Sequence, residues 1–73
     1  MAAAITTNRT DQIGETAGLV WRALNDNGPM SYPKLVKVTG VSRDTVMQAV
    51  GWLAREGKVI VEETRRGRVV TLR

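Results

Sequence analysis

Neither cysteine nor histidine occurs in this chain, and the two absences close several routes at once. Without cysteine, no disulfide or thiolate zinc site can brace a small fold. Without histidine, the usual general base and the commonest transition-metal ligand are missing too. No apolar run approaches the ~20 residues that a membrane helix needs. The opening MAAAITTNR has no basic stretch followed by an apolar one, so no secretion signal is read and a soluble cytoplasmic protein is expected. The sequence also offers no nucleophile–base pair, no phosphate-cradling glycine loop and no compact carboxylate cluster. Asp11 with Glu15, and Glu62 with Glu63, read as helix-start and strand-surface charges. The expectation is a non-enzyme, with no cofactor, metal or small-molecule ligand.

What is present points elsewhere. Seventy-three residues make one domain with a modest core, so pairing with a second copy would add stability. Eleven Lys and Arg against seven Asp and Glu give a net charge of +4, a sign that favours polyanionic partners such as nucleic acid. The distribution says more than the total. Arg65, Arg66, Arg68 and Arg73 crowd into the last nine residues.

Residues 1 to about 9 have little to bury and are expected to form a flexible tail, leaving 10–73 as the domain. From Gln12, the residues Ile13, Ala17, Val20, Trp21 and Leu24 recur at helical spacing. Thr10 or Asp11 can cap this first helix, and Asn25 to Gly28 carry the chemistry that ends it. Gly14 and Gly18 share one of its faces. They either admit another backbone or merely weaken the first turns.

After GPMS, which leaves room for a short strand, Ser31 caps a second helix with Pro33 in its first turn and Gly40 at its end. Ser42 caps a third, whose core stripe is Val46, Val50 and Leu53 and whose stop is Gly57. Then the period changes to two. KVIVEE and VVTL are β-branched segments, with Val59 and Val61 sharing one face of the first strand and Val70 and Leu72 sharing one face of the second. A three-residue loop, Arg65-Arg66-Gly67 with a left-handed glycine, is expected to join them.

Helix, helix, glycine turn, helix and a basic-tipped hairpin, carried by Ser42, Thr45, Val46, Val50, Leu53 and Glu56-Gly57, resemble a winged helix-turn-helix domain. The fold class this implies is α+β, mainly α, with three helices followed by a C-terminal β-hairpin wing. More narrowly, IGETAGLVWRALNDNG followed by LVKVTGVSRDTVMQAVGWLAREGKV is similar to a small family of stand-alone prokaryotic winged-helix proteins of uncharacterised function. That resemblance covers about Ile13 to Leu72 and implies domains that pair as homodimers.

If the third helix reads duplex DNA as such domains do, Arg43 and Gln48 would meet base edges while Ser42 and Thr45 would touch phosphate. The plain alternative is a polar helix surface. Asp44 favours that alternative, unless it accepts from cytosine or holds Arg43 in place. Arg65, Arg66 and Arg68 would enter a minor groove or grip phosphates, although a charged tip also serves solubility.

Gly51 and Trp52 depart from a groove-reading helix. Trp52 suits a helix-packing or subunit contact better than base stacking. Trp21 is expected in the core, while Leu19 is either a second contact to a twofold partner or a harmless exposed leucine. Two readings therefore stand: a DNA-binding homodimer in transcriptional regulation, or a winged-helix protein-interaction or dimerisation module that does not bind DNA.

Overall fold

A computed structural model describes residues 9–73. The expected tail falls almost wholly outside the described residues, and its last member, Arg9, is already helical. Helix α1 spans Arg9–Asn27, so Thr10 and Asp11 lie within its first turn instead of capping it. The end of α1 is as the sequence indicates: the Gly28 N–H donates to the Leu24 carbonyl at 2.8 Å.

Strand β1, Met30–Ser31, leads straight into α2, Tyr32–Thr39. The Ser31 hydroxyl accepts from the Lys34 N–H, and Pro33, with no N–H to leave unsatisfied, sits in the first turn. At the other end Gly40 takes φ +71, and its N–H returns to the Val36 carbonyl at 2.9 Å. A side chain would be strained at that φ, so glycine is what lets the chain turn at once into α3, Arg43–Arg55. Strands β2, Val59–Thr64, and β3, Gly67–Leu72, complete the chain. The fold is a winged helix-turn-helix.

The sheet is antiparallel with order β1-β3-β2. Val59 faces Leu72 and Val61 faces Val70, so the apolar side of the hairpin lies against the helices. Met30 pairs with Val70 and is itself buried, which makes the short strand before α2 a structural tie. Each main element sends at least one side chain to the centre: Val20 from α1, Leu35 from α2, Val46 from α3 and Val70 from β3 are all fully buried. The largest helix contact is between α1 and α3.

Candidate nucleic-acid interface

The side of α3 that faces inward is set by Val46, Ala49, Val50 and Leu53. What remains is an outer face and two flanks. Arg43 and Met47 occupy the flank turned toward the hairpin, whereas Ser42 and Thr45 turn toward Gln12 and Glu15 of α1. Both hydroxyls on that second flank are engaged locally. The Ser42 hydroxyl accepts the Thr45 N–H at 3.4 Å and donates to the Thr45 hydroxyl at 3.0 Å. Gln48 lies exposed on α3, as does Asp44.

The hairpin tip is tighter than its sequence suggests. Thr64 and Gly67 are register partners, so the turn between them holds two residues, Arg65 and Arg66, and not the expected three. Thr64 closes it: its hydroxyl accepts the Arg66 N–H at 3.2 Å and donates to the Gly67 carbonyl at 2.8 Å. Gly67 begins β3 with φ +134, positive but well away from the left-handed helical value. Arg68 stands across from Glu63, and its Nε lies 3.4 Å from the carboxylate.

These two features meet. Arg43 of α3 and Arg66 and Arg68 of the hairpin line a single open cleft of about 760 Å³ beside the start of α2. Arg65 stands in the turn itself and is exposed. Ser42 and Thr45 do not join the group; they line a separate cleft on the α1 side, next to Glu15. The sequence reading missed Tyr32 and Met47, which line the basic cleft. Their signals were available: the one tyrosine of the chain directly after a helix cap, and a methionine one turn beyond Arg43.

Trp21 is not a core residue. It is 41 % exposed and lines a groove with Trp52, which is 39 % exposed. The reason is geometric. Trp21 follows Val20 and so sits about 100° around the helix from the core stripe. The inner side of α1 is filled by Ala17, Val20, Ala23 and Leu24, leaving no space for an indole. Gly14 and Gly18 belong to this groove, and a methyl group added at either would meet nothing within 4 Å among the described residues. Leu19, 44 % exposed, lies instead in a shallow cleft with Val38, 48 % exposed. Leu19 and Trp52, the two residues expected at a partner interface, therefore line separate clefts.

Residues 8–72 match the family model of a winged helix-turn-helix domain, DUF2582. The chain belongs to that family. A relative is uncharacterized protein MJ1608 of Methanocaldococcus jannaschii, 35 % identical over 65 residues, covering 85 % of this chain and 91 % of that one. The solution structure of protein BT2368 from Bacteroides thetaiotaomicron superposes with a TM-score of 0.81 at 35 % identity, over 89 % of this chain and 79 % of that one. A third winged-helix match is Bordetella bronchiseptica BpsR, from a structure concerned with regulation of its DNA binding by 6-hydroxynicotinic acid. The TM-score there is 0.74 at 31 % identity, over 80 % of this chain and only 42 % of BpsR. Among the described residues of this winged-helix chain, no group of three or more potential metal ligands comes together, and no helix is long and apolar enough to cross a membrane.

Proposed function

We propose that this chain binds double-stranded DNA as a homodimer and acts in transcriptional regulation. The observation that carries the reading is the shared cleft of Arg43, Arg66 and Arg68. A cationic helix flank and a cationic hairpin on one side suit a duplex, which presents a base-lined groove bordered by phosphate. Arg43 is the base reader, bidentate to guanine where the sequence offers one. Gln48, exposed farther along α3, reads adenine, while Ser42 and Thr45 approach phosphate from the other flank. Arg65, Arg66 and Arg68 hold the backbone or minor groove beyond. The DNA binding described for BpsR supports this reading at the level of a shared fold.

Glu63 tempers the wing. It is 76 % exposed and pairs with Arg68, so Arg68 must exchange a carboxylate for a phosphate on binding. Glu63→Gln is expected to tighten duplex binding about twofold to fivefold and to leave the melting temperature unchanged, because exposed pairs contribute little to folding. Fluorescence anisotropy with a labelled duplex checks it. An unaltered Kd would place Arg68 away from the backbone.

The reading as a whole is tested by chemical-shift titration with a random duplex. Amides of residues 42–48 and 64–68 are expected to move, while the indole signals of Trp21 and Trp52 stay in place. A titration in which only the indoles respond, or nothing does, removes the DNA assignment. Under that outcome the second reading takes over: a protein-interaction or dimerisation module without DNA binding. Its support is the pair of half-exposed tryptophans, together with Asp44, Glu62 and Glu63 diluting the basic side.

A further inference from the structure

The groove of Trp21 and Trp52 lies on the flank of α3 away from the basic cleft, so one can be covered while the other stays open. Its floor is costly within a single chain. Gly14 and Gly18 stand inside a long helix, where each is less favourable than alanine, yet nothing among the described residues comes near enough to require a missing side chain. Beside them are both tryptophans of the protein, each large and each left more than a third exposed.

We infer that this face of α1 is where a second copy of the chain docks, antiparallel, about a twofold axis passing beside Gly18. The face is self-complementary. At about 100° per residue, Glu15 and Arg22 lie on one side of Gly18, and Gly14 and Trp21 on the other. Each pair has one member three residues from Gly18 and one member four residues away, in opposite directions along the helix. A twofold that reverses α1 therefore brings Glu15 of one copy against Arg22 of the other. On the opposite side it lays the Trp21 indole over Gly14 of the second copy.

Large meets small, and acid meets base, twice each, which is what an isologous contact demands. Neither Glu15 nor Arg22 forms an ion pair with another described residue, so both are available. Trp52 borders the same groove and is covered as the helices close. Helices that cross obliquely diverge within a couple of turns, so contact is confined to this central stretch of α1 and its border. The inference rests on the homodimer part of the proposed function and is independent of the DNA part.

Sedimentation equilibrium over a concentration series, with tryptophan fluorescence read in parallel, tests it on the full chain. The wild type is expected to pass from monomer to dimer as concentration rises, with emission shifting to the blue as both indoles lose water. Gly18→Gln is expected to stay monomeric and, at concentrations where the wild type is itself monomeric, to keep an unchanged or higher melting temperature, since the added side chain has open space in the single chain. Glu15→Arg and Arg22→Glu are each expected to weaken the dimer about tenfold, because every exposed pair counts twice across a twofold. The double reversal is expected to restore it, an outcome that simple loss of folding could not produce.

A wild type that remains monomeric through the high micromolar range overturns this inference and the homodimer reading together. A dimer that survives Gly18→Gln overturns the groove alone. A dimer weakened by Gly18→Gln but indifferent to both charge reversals overturns the antiparallel arrangement.

Discussion

Replacing Arg65, Arg66 and Arg68 together with alanine should reduce the slope of log K against log salt by about 2.7, close to 0.9 for each phosphate contact removed. On the same arithmetic, affinity for a random duplex at ~0.1 M salt should fall about 500-fold. The loss should be nearly equal for every sequence, because phosphate contacts carry no base information. A smaller change in slope, about 1.8, would mean that Arg68 remains with Glu63 in the complex and that only the two turn residues reach the backbone. Arg43→Ala should behave differently. It removes one cation from the same cleft, but its effect should vary among duplexes, by about 1–3 kcal/mol between a site with a guanine in reach and one without. If the triple variant keeps the wild-type slope, the hairpin takes no part in binding. Salt titrations of both variants on two duplexes separate these outcomes.

The largest effect on stability is expected at Leu35. It is the single fully buried residue of α2 and its deepest anchor in the core, with Tyr32 and Val36 packed partly buried beside it. Leu35→Ala removes that anchor and leaves a cavity among neighbours that cannot all close in, at a cost of about 2–5 kcal/mol. A domain of this size has a total stability of only about 4–10 kcal/mol. Much of it would go, and α2 should detach before the rest. Val38→Ala on the same helix is the matched control. At 48 % exposure it should change stability by less than about 0.5 kcal/mol. Urea unfolding followed by circular dichroism measures both, and equal midpoints for the two variants would contradict the packing described.

Much of this architecture was legible because its boundaries are chemical. Ser31, Gly40, Ser42 and Gly57 each solve a local problem of unsatisfied backbone groups or a left-handed turn, and such problems announce themselves in a few neighbouring residues. The alternation of Val59, Val61, Val70 and Leu72 is likewise local. What could not be read depends on where distant elements meet. Trp21 lies beside the α1 stripe, and only the line along which α3 crosses α1 decides which neighbours of the stripe are covered. The hairpin loop came out one residue too long because period-two patterning cannot say which residue of TRRGR begins the second strand. A hydroxyl, that of Thr64, settles it.

At the candidate site the same division holds. That Arg43 and the arginine tip would be basic and exposed is plain from the sequence. That Arg43 turns toward the hairpin while Ser42 and Thr45 turn away is a consequence of how α3 rolls onto Val46 and Val50, and adjacent residues thereby end on opposite flanks. Helical spacing placed the core stripe of α3, Val46, Val50 and Leu53, correctly but could not tell which flank the hairpin would border.

Ser31 forms a rung beside Val69 and caps the first turn of α2, and Met30 next to it is locked beneath Val70. A two-residue strand therefore bolts the arginine-bearing arm to the short helix ahead of α3. The arm reaches any target already fixed in pitch, so the disorder it would otherwise surrender on docking has been given up during folding. Beyond Val69 the two-stranded tip and its long guanidinium side chains carry whatever freedom is left at that end of the molecule.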